Sequence, residues 1–522
     1  MASASSSPID DLAAPTGDAE HLIWPSPERL AQLVEENRSL LDGSSAKILN
    51  RTIGEWREPP GRGPVIFTGH QPAFYHPGVW AKNVVSTALA RRLGGEAVFL
   101  AVDSDAPDRL ELEWPVQDSG HYEIARAAVL PQLQGRSYEQ LPPLSLGDCA
   151  AFATQVFNGV DHDGTTPLRA FLKSFGESQT ADYVSRWAAG MQAIDQTVGA
   201  ATPTIERVSD RFDTSRSTEA AAFVGHLLIH ADSFSSAYNG ALQAYRAARG
   251  IRGDRHPIPD LLVTDERFEL PFWVLGRTES RRRFFVSRSR TASDAVVLWA
   301  GQERIGDVDR AKVMNDPQNA LGVDLGSPQI RPRALALTIY ARILACDLFI
   351  HGIGGAKYDQ IADEIIHRFF GIEPPAYACV SATMRLPLRR HAVTRDDERA
   401  CRRRLRDLRY NPQRYLDGGP YAPMLDTLTR EREQAIALQD RLRAESPTDH
   451  AARRAAFLAI RRANKTLSSA VGDLPHEFQK EAASVSAALS ENRIAEHREW
   501  FMGLFPTARL VELQDSIVGS LS

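Results

Sequence analysis

Two apolar runs, each closed by a loop dense in polar residues and glycine, limit what this chain can fold into more than any other feature. The first is "PVIFT" from Pro64, followed by "GHQPAFYHP", the amphipathic stretch "GVWAKNVVSTALARRL" and a second run, "EAVFLAVD". The second block reads "CDLFIH", "GIGGAK", "YDQIADEIIHRFFG" and "AYACVSA", preceded by the helical "PRALALTIYARILA". Runs that are apolar throughout, rather than alternating, belong to strands covered on both faces. Joining two of them through a helix requires a right-handed βαβ crossover in a parallel sheet. The chain therefore reads as α/β with a parallel-sheet core, and the two blocks share this grammar without sharing sequence.

The rest of the 522 residues divides around that core. Residues 1–20 are expected to be a disordered tail, 21–390 the α/β core, 391–500 a helical region and 501–522 a segment returning to the core, with "TARLVELQD" as a candidate strand. Ser26, Pro27 and Glu28 open a helix through "ERLAQLVEENRSLL", and "EPPGRGP" breaks the chain after it. "TEAAAFVGHLLIHADSFSSAYNGALQAYRAAR" is one long helix or two. "FELPFWVLG" and "RRRFFVSRS" read as strands, with Arg281–Arg283 at an exposed hairpin tip. In the helical region, apolar residues such as Leu425, Leu428, Leu467 and Val471 recur at near-heptad spacing, and Asn464 is read as a surface position on that stripe.

Composition removes several classes. A net charge of -5 gives no general attraction to nucleic acid or membranes, and no run is long enough to span a bilayer. Cys149, Cys346, Cys379 and Cys401 are scattered without metal or disulfide spacing, which suits a cytoplasmic protein. His226 and His230 stand four apart but lack the glutamate of a zinc-protease helix.

In parallel α/β sheets ligands bind outside the carboxyl ends of the strands, and three loops fall there. Thr68, Gly69, His70 and Gln71 leave the first strand, with His76 and Lys82 at the start of the next helix. His70 and His76 are candidate acid–base groups or phosphate donors. Their neighbours Tyr75 and Trp80 are equally readable as core. Asp103 and Asp105 follow the second strand and could orient a sugar, an amine or a metal, or simply cap a turn. In the second block His351, Gly352, Gly354, Gly355, Lys357 and Tyr358 form a glycine-rich connection suited to an anion, with Arg331 and Arg333 just upstream. That connection matches neither the dinucleotide fingerprint nor the P-loop.

The ordered patches "TGHQPAFY", "VFLAVDSDA", "IRPRAL" and "IHGIGGAKYD", with helices following, resemble the cysteine-adding enzymes of bacillithiol biosynthesis. That family carries a T-G-Q-Q stretch, an acidic strand end, an R-P segment and a glycine loop ending in tyrosine. Thr68, Gly69 and Gln71 match the first motif, Asp105 the second, Arg331 and Pro332 the third, and Gly352 and Tyr358 the fourth. His70 stands where the family has glutamine, and most of the second motif's acids are replaced. The resemblance implies a Rossmann-like core of nucleotidyltransferase type, a helical coiled coil supporting a homodimer, and amide-bond formation between cysteine and an amino-sugar malate conjugate. A nucleotide is the one cofactor it leaves open; no metal site is evident. Two alternatives stand beside this small-molecule ligase or transferase. One is a metal-dependent nucleotide-sugar glycosyltransferase using Asp103 and Asp105. The other is a catalytically degenerate dimeric scaffold.

Overall fold

Val65–His70 is extended because its four buried residues, Val65 to Thr68, leave water on both faces; the next helix begins at Pro77, whose fixed φ suits a first helical position. The helix Pro77–Leu93 ends at Gly94, whose φ of 65° is left-handed and favours glycine, and Glu96 immediately resumes an extended strand. This computed structural model describes residues 8–57, 63–130, 133, 135–160, 166–251, 258–276, 281–288, 294–323, 329–416 and 422–521. The expected break at "EPPGRGP" lies largely outside them. The strands, in chain order, are β1 (Glu20–Trp24), β2 (Lys47–Ile48), β3 (Arg51–Thr52), β4 (Val65–His70), β5 (Glu96–Ala101), β6 (Glu111–Asp118), β7 (His121–Ala128), β8 (Thr204–Arg207), β9 (Phe268–Leu275), β10 (Arg282–Arg288), β11 (Ala295–Ala300), β12 (Glu303–Asp309), β13 (Gln329–Pro332), β14 (Leu348–His351) and β15 (Ala378–Thr383).

The main sheet has the order β1-β15-β14-β4-β5-β8. All neighbours are parallel except the edge pair of β1 and β15. After the edge strand β1, the parallel strands begin at β4, move outward through β5 and β8, then return to the other side of β4 with β14 and move outward to β15. The direction of travel therefore reverses between β4 and β14. A second sheet, β12-β11-β10-β9-β13, is antiparallel throughout and includes the expected hairpin of β9 and β10. The chain is thus a mixed α/β protein with a largely parallel sheet and a helical C-terminal region.

Two compact units are distinguished: residues 1–116, 124–386 and 498–522 in the first, and 117–123 and 387–497 in the second. In the second unit the helix Ala422–Glu445 packs along His450–Ala470, and Arg395–Tyr410 along Leu474–Glu496. The helices thus pair within one chain.

Three expectations are corrected. The "TARLVELQD" segment is a helix, Thr507–Ser520, because Leu510, Leu513 and Ile517 repeat at three and four and are all buried. From residue 8 onward the tail is packed rather than disordered: Ile9 is buried beside Ala356, Tyr377 and Cys379, and Arg509 donates to Asp18 at 2.7 Å. Asn464 is buried, not superficial; its Oδ1 accepts from Arg432 at 2.6 Å and its amide donates to the Tyr410 carbonyl. Long-range packing decided the last two outcomes, and the helical period decided the first.

Candidate functional site

The aromatic residues of the loop after β4 are scaffold. Tyr183 Oη donates to the Pro72 carbonyl at 2.8 Å, Trp187 Nε1 to the Ala73 carbonyl at 2.9 Å, and the Met502 amide to the Tyr75 carbonyl at 3.0 Å. Phe74 packs on Phe152, Phe171 and Phe501, while Tyr75 and Trp80 are buried. His76 belongs to the same framework, since its Nδ1 accepts the Gly78 amide at 3.1 Å and caps the Pro77 helix. A loop held at this many points keeps the residues beside it in place.

Those residues are Thr68, Gly69, His70, Gln71 and, from the helix, Lys82. Lys82 is 3% exposed. Its ammonium donates to the Gly69 carbonyl at 2.6 Å, and no carboxylate among the described residues pairs with it. Burial lowers its pKa from the ordinary 10.5 to about 8. The Thr68 hydroxyl, also buried, has no hydrogen-bond partner. His70 Nδ1 lies 3.0 Å from the Gln71 carbonyl, which can only accept, so that nitrogen carries the proton and Nε2 is the acceptor. Burial and the nearby Lys82 charge pull the His70 pKa down to about 4, so the ring is neutral at neutral pH. A neutral ring in this tautomer accepts a hydrogen bond at Nε2 and has no second N–H for a phosphate.

At the end of β5 the two aspartates diverge. Asp103 is fully buried and accepts the Ser209 amide at 2.9 Å and the Ser209 hydroxyl. Burial raises its pKa against those bonds. Asp105 instead accepts from Gln71 Nε2 at 2.5 Å and forms an ion pair with Arg281 at 2.7 Å. Arg283 is exposed, as expected, and approaches the buried Glu269 at 3.4 Å, whereas Arg281 is half-buried and reaches back to Asp105. Asp103 and Asp105 face different partners, and no three His, Cys, Asp or Glu side chains among the described residues are placed to share a metal ion.

Arg331 is held by Glu139 through Nε and Nη2, both at 2.9 Å, in a buried bidentate pair. Arg333 turns the other way, donating to Glu269 at 2.6 Å and covering the Trp273 ring at 4.2 Å. At the end of β14, His351 Nε2 contacts Asp359 at 3.1 Å, and Arg342 bonds both Asp359 and Asp363. Burial alone would raise the Asp359 pKa, but the Arg342 and His351 charges hold it well below the usual carboxylate range. Gly352 caps the helix Ile353–Ile365. A Cβ on Gly352 or Gly354 would meet nothing within 4 Å, so the start of that helix opens onto free space, whereas Gly355 closes on the His351 ring. Lys357 and Lys82 both act on the thiol of Cys379 in β15, which burial nonetheless pushes up to about 12. Tyr358 packs with Tyr245 against the core.

The fold therefore brings together Lys82, His70, Gln71 and Asp105 with the open glycine turn and Lys357. It assigns His76, Asp103, Arg331 and Tyr358 to structural contacts. Sequence reading missed Arg281, Glu139, Glu269 and Trp273. Only the density of arginine around residue 281 signalled any of them. No protein-family model and no curated protein matches the chain. No helix among the described residues is long and apolar enough to cross a membrane.

Proposed function

We propose that the protein is a small-molecule ligase or transferase built on a Rossmann-like core of nucleotidyltransferase type, which holds an anionic substrate where the strand order reverses and forms a carbon–nitrogen bond on it. The observation that carries this reading is Lys82: a buried ammonium with one carbonyl partner and, among the described residues, no counter-ion, at the carboxyl end of β4. β14 lies beside β4, with Ile350 level with Thr68, so the open turn at Gly352 and Gly354 begins next to Gly69. An unpaired buried cation is costly. A phosphate or carboxylate seated there would relieve it and would also meet the amides that begin the Ile353 helix. Open α/β sheets place their ligands at this reversal point. The resemblance noted above supports an amide bond between the carboxyl of cysteine and the amine of an amino-sugar malate conjugate, with a nucleotide as the cofactor it leaves open. On this reading Lys82 and the helix amides hold the anion, His70 Nε2 accepts a hydrogen bond from the substrate, and Gln71 keeps Asp105 in position.

The test is to incubate the protein with cysteine and a glucosaminyl-malate conjugate, with and without ATP, and to search by mass spectrometry for the product one water lighter than the sum. In parallel, thermal shifts with pyrophosphate, ATP and malate are measured on wild type and Lys82→Met. Stabilisation by an anion that disappears in K82M supports the reading. No product and no anion effect on wild type would reject it.

A further inference from the structure

A cavity of about 310 Å³ opens between the end of β5 and the β9–β13 edge of the second sheet. That volume lies at the small end of the range for pockets that enclose organic ligands. Its wall joins two kinds of surface. Ile258, Leu335 and Leu337 supply an apolar floor, and Trp273 stands over it with Arg333 at 4.2 Å and Arg281 at 5.1 Å from its ring. Arg281, Arg283 and Arg333 enter from one side. Their described carboxylate partners are two: Asp105 for Arg281, and the fully buried Glu269 shared by Arg283 and Arg333. Among the described residues, three cations against two anions leave one positive charge over. The Glu269 carboxylate also accepts the Leu262 amide at 2.9 Å, and its contact with Arg283 is long, at 3.4 Å. Arg333 Nε is buried and has no hydrogen-bond partner.

We infer that this cavity is a binding site for a small monocarboxylate with an apolar body. The carboxylate would lie against Arg333 and Arg283, whose planar donor groups match its two oxygens. The body would rest on the aliphatic floor and the Trp273 edge. Single negative charge follows from the charge count, and small size from the volume. Trp273 serves the site by holding the arginines through its ring rather than by receiving a cation from the ligand, since guanidinium groups already occupy it. The inference does not depend on the reading of the Lys82 crevice. If both hold, the hydrogen-bonded chain from Gln71 through Asp105 to Arg281 joins two substrate positions.

The experiment uses ligand-observed NMR on the full chain with a panel of short aliphatic and aromatic monocarboxylic acids, each matched to its primary amide. At least one acid should bind ten-fold or more tightly than its amide, a difference of about 1.4 kcal/mol. Arg333→Gln should bring that ratio close to one, while Lys82→Met should leave it unchanged. Because R333Q leaves buried Glu269 with less compensation, the paired variant E269Q/R333Q is measured as well, and Arg281→Gln tests the opposite end of the clamp. Equal binding of every acid and amide by the wild type overturns the proposal. So does an acid preference that survives R333Q, or one that vanishes in K82M and so belongs to the other crevice.

Discussion

The Lys82 ammonium gives the sharpest test of how this crevice works, because its burial has a stability signature that needs no substrate. Its pKa falls from 10.5 to about 8 on folding, chiefly by desolvation. The charged form is disfavoured in the folded state, so below pH 8 the protein carries the whole penalty. Between pH 8 and 10.5 the folded protein releases a proton that the unfolded chain still binds, and stability rises with pH. At 1.36 kcal/mol per pH unit the total is about 3 kcal/mol. Lys82→Met has no proton to release, so the stability of wild type relative to K82M should climb by about that amount across this window. All eight tryptophans, from Trp24 to Trp500, lie outside residues 387–497. Urea denaturation followed by tryptophan fluorescence therefore reports the first unit alone. An anion at Lys82 should restore the charged form, so pyrophosphate binding should weaken as pH passes 8. If the difference between wild type and K82M is the same at pH 7 and above pH 10, the ammonium is not buried without a counter-ion, and the argument for an anionic substrate fails with it.

Other outcomes follow from the same contacts. His70, with its pKa lowered to about 4, should cost up to about 3 kcal/mol of stability as pH falls from 6.5 through 4; His70→Gln should flatten that limb of a urea-denaturation series. Arg342→Met strands the carboxylates of Asp359 and Asp363, and should lower stability by about 3–5 kcal/mol in the same fluorescence assay. In the second unit Glu491 accepts from His121 at 2.5 Å and from His391 at 2.9 Å, which raises the His121 pKa. This clasp contributes fully below the ordinary histidine range and is lost as pH rises through the folded value. Protection of the helix Leu474–Glu496 from hydrogen exchange, taken relative to the intrinsic base-catalysed rate, should therefore fall at alkaline pH in wild type, and Glu491→Gln should remove that fall.

Much of the layout was legible before any coordinates. The runs at Val65, Glu96, Leu348 and Ala378 announce themselves as covered strands because a parallel sheet exposes neither face. Pro77 and Gly94 mark a helix start and stop through fixed or left-handed φ, which depends on the residue and its immediate neighbours. The loops at strand ends stand out by their density of polar residues and glycine. Their individual side chains were not separable: His76 and His70 look alike in sequence, yet one caps a helix and the other borders the crevice.

By itself, then, the sequence determined the strands and helices of the two parallel blocks, their order and the loops that lie near the carboxyl ends of the parallel strands. Those properties arise from short-range backbone preference and from hydrophobic period, which neighbouring residues encode. Only the tertiary structure decided that Asp105 answers Arg281, 176 residues away, that Asp103 turns to Ser209, and that Lys82 is shut in without an anion. A polar group's role is set by which partners remain once water is removed, and those partners come from distant parts of the chain. The opening at Gly352 and the charge left over beside Trp273 are results of that long-range pairing, and no local pattern carries them.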